Sequence, residues 1–406
     1  MSKVLLSFLG TGPKKDVGNA SIENRQYKEA KYKFSDEKSY TTPFITEALT
    51  QYYDIDKIIL IGTPHSMWEA VYERFSKLHK IAIDEDYLFE LYEFCQNANH
   101  ASSLSIPHPE RIERALGSGS KVVLIHYGLD NEQLNDNIRI VMEIEQYLNS
   151  NDELYIDITH SFRSLPVYVM NLLMYLKYVS KRNINISNVS YGMLDVMREF
   201  NDTVPVINLT GVINVMEWIV GAYSFREFAN AYKISSLLKE ENPSVAQHLH
   251  DFSEFMNFNH LYAIQTEVSK FEALRSETFS VLPQLVVEPI IREFTKRFKQ
   301  CHTHSAFQVQ LARWQMEHYN YSSAYMSLSE AFITYACELK GLDWQNKTIR
   351  NEMKKTLYTI GLQKQYKEVA NIRNGLTHQK VMNGRKLTDM LSTLERNIIY
   401  LEQLMK

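Results

Sequence analysis

Arginine and histidine stand five positions apart at four places in this chain: Arg74/His79, Arg297/His302, Arg313/His318 and Arg373/His378. Such a pair has the groups needed to cut RNA without a metal. The 2′-hydroxyl attacks the adjacent phosphorus, a base takes its proton, an acid protonates the 5′ leaving oxygen, and the crowded phosphorane needs positive charge. Imidazole titrates near neutral pH and suits both proton transfers. Guanidinium stays protonated and presents a planar fork to phosphate oxygens. Spacing alone does not choose among the four pairs. At the last one, Asn374 lies four residues before His378, so a continuous helix puts those two on one face. Arg373 and His378 themselves are about 140° apart around an ideal helix. Either Gly375 bends the segment or two protomers share one site. The bland alternative is a turn region with an incidental surface histidine.

A second set of polar residues follows strand-like runs in the first half. Leu9-Gly10-Thr11-Gly12-Pro13 has two glycines that let backbone approach a ligand, and a hydroxyl between them. A dinucleotide fingerprint would need glycine at position 15, where the chain has Lys15, so a nicotinamide-binding reading is weak. Gly62-Thr63-Pro64-His65-Ser66 follows another run, with Ser66 as the expected N-cap of a helix at Met67-Trp68. The third loop runs from Asp157 through Thr159, His160, Ser161 and Arg163 to Pro166. Its hydroxyls and helix N-terminus can donate to phosphate or ribose oxygens. Arg163 can pair with phosphate or stack on a base. A purely structural role would have Asp157 tie down the turn and Ser164 cap the helix.

The elements that must carry these loops alternate in type. Strands are expected at Val4–Leu9, Gln26–Phe34, Lys57–Ile61, Lys121–His126, Leu154–Ile158, Val189–Met193 and Val204–Asn208. Continuous apolar runs such as Ile58–Ile61 and Val122–Ile125 fit strands covered on both faces, as in a parallel sheet. Helices are expected between them, at Phe44–Tyr53, Met67–His79, Asp86–Asn97, Asn131–Asn149 and Leu165–Lys181. This is an open α/β, Rossmann-like sheet with ligands at its carboxyl ends. From about Gly211 the helical period takes over, with stretches at Val212–Leu238, Val245–Ser269, Val287–Cys301, Phe307–Tyr319, Ser322–Lys340, Thr348–Leu357, Gln363–Arg373 and Leu387–Met405. The expected domains are residues 1–210 (α/β), 211–242 (helical connector) and 243–406 (all-α).

Bulk properties agree with a soluble two-domain protein of 406 residues, with 45% hydrophobic and 23% charged content. Residues 243–406 hold 20 Lys+Arg against 16 Asp+Glu, a balance of +4, whereas residues 1–242 hold 24 against 32. The mildly basic second half is compatible with RNA. Three scattered cysteines form no disulfide framework, so a reducing cytoplasm is expected. No export signal and no membrane-spanning run is read from the sequence. Cys301-His302-Thr303-His304 lacks a second ligand group with zinc-like spacing, so no metal is expected. Asp84-Glu85-Asp86 reads as a helix start, and neither a Walker loop nor a GxSxG elbow occurs.

The Leu9–Gly12 turn, the Gly62–Trp68 loop and the Asp157–Pro166 loop resemble those of CRISPR-associated Rossmann-fold (CARF) sensors of type III CRISPR systems, especially those fused to a HEPN ribonuclease domain. The resemblance covers most of the chain in domain order and length. It implies that Gly10, Thr11, Gly12, Ser66, Thr159, His160, Ser161 and Arg163 bind a cyclic oligoadenylate across a homodimer twofold. The tetra-adenylate is the first expectation and the hexa-adenylate the second. Many relatives carry glycine after the threonine, where this chain has His160-Ser161. The HEPN signature is Arg, four residues, His, with frequent Asn after the Arg, late in the helical domain. Among the four pairs, Arg373-Asn374 with His378 matches it, and Arg313/His318 is the main rival. The implied protein is a cyclic oligoadenylate-activated, metal-independent endoribonuclease acting on single-stranded RNA as a homodimer or larger homo-oligomer, with no bound cofactor. The alternatives are a non-catalytic sensor and a sensor that degrades its own activator.

Overall fold

A computed structural model describes residues 1–11, 29–35, 37–160, 164–273, 279–377 and 386–406. These residues form two compact units, Met1–Asn214 and Val215–Lys406.

The first unit is built on an eight-stranded sheet in the order β3-β2-β8-β7-β6-β1-β4-β5. The strands are β1 (Lys3–Leu9), β2 (Ala30–Lys33), β3 (Ser39–Thr42), β4 (Lys57–Gly62), β5 (Lys121–Leu124), β6 (Glu153–Asp157), β7 (Asn185–Gly192) and β8 (Thr203–Asn208). Five central strands, from β7 through β6, β1 and β4 to β5, run parallel. The sheet is mixed, not wholly parallel: β7 pairs antiparallel with β8, and β2 antiparallel with β3. β1 and β4 are buried on both faces, which is why their sequences are unbroken apolar runs. The intervening helices are α1 (Ile45–Tyr53), α2 (Trp68–Leu78), α3 (Glu85–Asn97), α4 (Pro109–Leu116), α5 (Asn131–Glu143) and α6 (Leu165–Tyr178).

Two elements of this unit escaped the sequence pattern. β3 is four residues of Ser, Tyr and Thr with no apolar period. α4 has a proline in its first turn and Gly117 at positive φ (116°) after its end, but is only eight residues long. Asp84 caps α3 by accepting from the Tyr87 backbone N–H at 3.1 Å, as its acidic run implied.

The second unit is helical: α7 (Thr210–Phe228, shared with the first unit), α8 (Tyr232–Leu238), α9 (Pro243–Phe258), α10 (Leu261–Ala273), α11 (Val281–Lys296), α12 (His304–Glu317), α13 (Tyr321–Leu339), α14 (Lys347–Thr356), α15 (Gln363–Thr377) and α16 (Leu387–Leu404). The expected single stretch Val245–Ser269 is two helices. Asn259 turns left-handed (φ 51°) and ends α9, while the apolar period continues across the break. Two cores fill the unit. Trp218, Phe225, Ile234 and Leu238 pack with Leu249, Phe252 and Phe294, so residues 215–242 share the core of α9–α11. Leu328, Phe332, Tyr366, Val369 and Ile398 form the other. α12 serves both, giving Leu311 and Trp314 to the first and Val309 and Ala312 to the second.

Candidate functional site

The carboxyl ends of β1, β4, β5 and β6 open on one cleft of about 340 Å³, lined by Leu9, Gly10, Thr11, Ile61, Gly62, Thr63, Ser66, Ile125, Thr159, His160 and Leu165. The location is where an open α/β sheet exposes its backbone: β1 lies between β4 and β6, and the chain crosses from one side of β1 to the other. Of the residues expected there, Gly10, Thr11, Ser66, Thr159 and His160 converge on this cleft. Gly12, Ser161 and Arg163 lie outside the described residues. Ile125 was not anticipated. It reaches the cleft because β5 is the neighbour of β4, and the pairing of two strands distant in sequence leaves no local signal.

Ser66 does not cap α2, as expected from its type; Met67 takes the N-cap position. Ser66 is buried. Its hydroxyl donates to the Leu9 carbonyl (2.8 Å) and accepts from the Thr63 N–H (3.0 Å). It therefore clamps the end of β1 to the end of β4. Gly62 makes room for this clamp. A Cβ there would stand 2.7 Å from the Trp68 ring and 2.9 Å from the Ser66 hydroxyl oxygen. Gly62→Ala is expected to lower stability by about 1–3 kcal/mol through overpacking, read as a fall in thermal midpoint.

Asp157 does tie down the third loop. Its carboxylate is fully buried, accepting from the Ser7 hydroxyl at 2.6 Å and the Thr159 N–H at 2.9 Å. Burial pushes its carboxyl up, opposed by the Ser7 and Thr159 hydrogen bonds and by His160. The Thr159 hydroxyl in turn accepts from the Gly192 N–H at 2.7 Å, holding the β6 loop to the end of β7. Desolvation holds His160 below the usual imidazole range, with Asp157 opposing it. Its ring is thus uncharged at neutral pH. Ser164 occupies the N-cap position of α6 without a side-chain cap bond.

In the helical unit, α15 carries Arg373 and Asn374 in its last turns, and both are half-buried. His378 lies outside the described residues. The Arg373 Nε is buried with no hydrogen-bond partner among the described residues, and no carboxylate there pairs with the guanidinium. The other three arginines of the repeated spacing are already engaged. Arg313 forms a two-pronged pair with Glu402 (2.7 and 2.6 Å), Arg297 meets Glu317 (2.6 Å) and Arg74 grips Glu47 (2.8 and 3.0 Å). Their histidines differ too: His318 stacks on Trp314 (4.1 Å) and His79 bonds the Ala115 carbonyl (2.7 Å). A guanidinium held by a carboxylate through two nitrogens, as in Arg313 and Arg74, has lost that fork for phosphate, whereas Arg297 is held through one. Thr303 caps α12, and His304 bonds Gln265 (2.7 Å) and packs on Trp344. Among the described residues no group of three His, Cys, Asp or Glu is placed to hold a metal ion.

Residues 4–194 match the family model described as CRISPR system endoribonuclease Csx1, CARF domain. The first unit is thus similar to CARF domains of CRISPR-associated proteins. Residues 214–306 match the model described as CRISPR-associated protein MJ1674, second domain. The CRISPR-associated protein MJ1674 of Methanocaldococcus jannaschii is 32% identical over 408 aligned positions, which cover 94% of this chain and 63% of that protein. The chain thus spans less than two thirds of that relative's length. A solved structure of Enterococcus italicus Csm6 bound to cyclic hexa-2'-fluoro-hexa-dAMP is similar at a TM-score of 0.38 and 10% identity, covering 98% of this chain and 94% of that one. That likeness is too low to carry a fold argument. Among the described residues, no helix is long and apolar enough to cross a membrane.

Proposed function

We propose that this chain is a type III CRISPR defence ribonuclease. A cyclic oligoadenylate, first the tetra-adenylate and second the hexa-adenylate, binds its CARF cleft. Arg373, Asn374 and His378 of a HEPN-type helical domain then cut single-stranded RNA by 2′-hydroxyl attack, in a homodimer in the cytoplasm. The observation that carries the catalytic half is Arg373. Of four arginines at the right spacing, it alone has no carboxylate partner among the described residues. The observation that supports the sensor half is the cleft, which gathers Gly10, Thr11, Thr159 and His160 at the strand ends of a CARF domain. Ligand contacts that differ between two arrangements of the dimer would couple the halves.

The test is RNA cleavage in EDTA, with and without each cyclic oligoadenylate, for the wild type and His378→Ala. Activator-dependent products ending in 2′,3′-cyclic phosphate and 5′-hydroxyl are expected from the wild type and absent from the variant. Equal activity in both, or none in either, leaves a sensor without this chemistry.

The cleft histidine adds a pH signature. His160 is neutral at pH 7 because desolvation lowers its pKa, and a polyanion favours the protonated form. Oligoadenylate affinity is expected to be flat above neutrality and to tighten only as pH falls below about 6.5, the usual imidazole value. In His160→Gln the same titration, followed by calorimetry, should stay flat.

A further inference from the structure

The positive charge of the helical half is concentrated in one place. Between residues 347 and 367 there are six Lys or Arg and one acid (Glu352), a balance of +5. The whole of 243–406 balances at +4, so the remainder is slightly negative. This stretch is the corner where α14 passes through a 3-10 turn (Leu357–Ile360) and the left-handed Gly361 into α15. Arg350 is spent on Glu330 at 2.6 Å. Lys347, Lys354, Lys355, Lys364 and Lys367 are all exposed, and none meets a carboxylate among the described residues.

Three features separate this corner from an ordinary solvated face. Tyr358, 67% exposed, stands on the turn between the two pairs of lysines, Lys354/Lys355 and Lys364/Lys367. An aromatic face among unpaired cations is the combination that binds single-stranded nucleic acid, by stacking a base while amines neutralise phosphates. Lys367, Asn371 and Asn374 also stand at i, i+4 and i+7 on α15, one face of a continuous helix. Lys364, in the first turn of α15, which has no acidic residue, opposes the helix dipole unless an anion is present.

We infer that the α14–α15 corner is a binding track for single-stranded RNA. Lys354, Lys355, Lys364 and Lys367 hold phosphates, Tyr358 stacks a base, and the Lys367–Asn371–Asn374 face leads the strand along α15. The inference rests on the reading of the chain as an RNA-cutting protein and adds the surface by which substrate is held.

The test is fluorescence anisotropy of the full chain with a labelled, uncleavable 2′-O-methyl RNA of about 20 nucleotides, over a range of salt. The variants are Tyr358→Ala and the quadruple Lys→Ala change at 354, 355, 364 and 367. Losing four phosphate contacts should weaken binding at least about tenfold near physiological salt and flatten the log–log salt slope by about 3. Tyr358→Ala should cost about tenfold on single strands and little on a duplex of the same sequence. Because every altered side chain is exposed, thermal midpoints should match the wild type. Unchanged RNA affinity in the quadruple variant overturns the track. So does a variant that loses only binding to polyglutamate or anionic vesicles. Cleavage assays separate the two readings. RNA held through the corner but never cut removes the nuclease and keeps the track. Arg373-dependent cutting with an unaltered KM in the quadruple variant removes the track and keeps the nuclease.

Discussion

Arg373→Ala is expected to reduce oligoadenylate-stimulated RNA cleavage by about 10²–10³-fold, mostly in kcat, with little change in thermal midpoint. The rate term follows from removing a preorganised cation beside a developing phosphorane charge, which costs about that much when one such donor is lost. The stability term follows from its surroundings. The Nε is buried with no partner among the described residues, so the alanine variant leaves no bonded group behind. A structural arginine behaves differently. Arg313→Ala would leave the Glu402 carboxylate with Gln310 as its remaining partner and without a countercharge, and should lower the thermal midpoint while sparing the chemistry per folded molecule. Arg373→Lys keeps charge without the planar fork and should recover only part of the lost rate. Wild-type turnover in Arg373→Ala, or collapse of its fold, would remove Arg373 from the catalytic assignment.

Gly10→Leu is expected to weaken activation strongly without unfolding the α/β unit. The nearest atom to a Cβ at Gly10 is the His160 Cβ at 3.8 Å, an ordinary contact, and its backbone does not need a positive φ. The position therefore tolerates a side chain, but that side chain projects among the residues lining the cleft. An isobutyl group there should raise the activator concentration for half-maximal cleavage by 100-fold or more, on the order of 3 kcal/mol. Basal cleavage and the melting curve should be unchanged. Gly62 is the internal contrast, because its Cβ would collide with Trp68 and Ser66 inside the fold rather than with a ligand. Full activation of Gly10→Leu at wild-type activator concentrations would place the ligand elsewhere.

Much of this protein was legible from residue order. The buried strands β1 and β4 announced themselves as unbroken apolar runs, because a strand covered on both faces has nowhere to put polar side chains. The helices of the second half followed from their period, and Asp84 from its type at a helix start. The loop residues Gly10, Thr11, Thr159 and His160 were readable because they directly follow strands. Local pattern reported local structure in each case.

What lay beyond it depended on partners distant in the chain. Ser66 looked like a helix cap, but the nearby Leu9 carbonyl, 57 positions earlier, took its hydroxyl instead. Ile125 entered the cleft only because β5 lies beside β4. Four arginines shared one spacing, and three were set apart by carboxylates supplied from other elements: Glu47 of α1, Glu317 of α12 and Glu402 of α16. Sequence determines which groups a segment offers. Only the tertiary fold decides which of those groups another segment has already satisfied, and an unsatisfied charge or hydroxyl is what remains to act on a ligand.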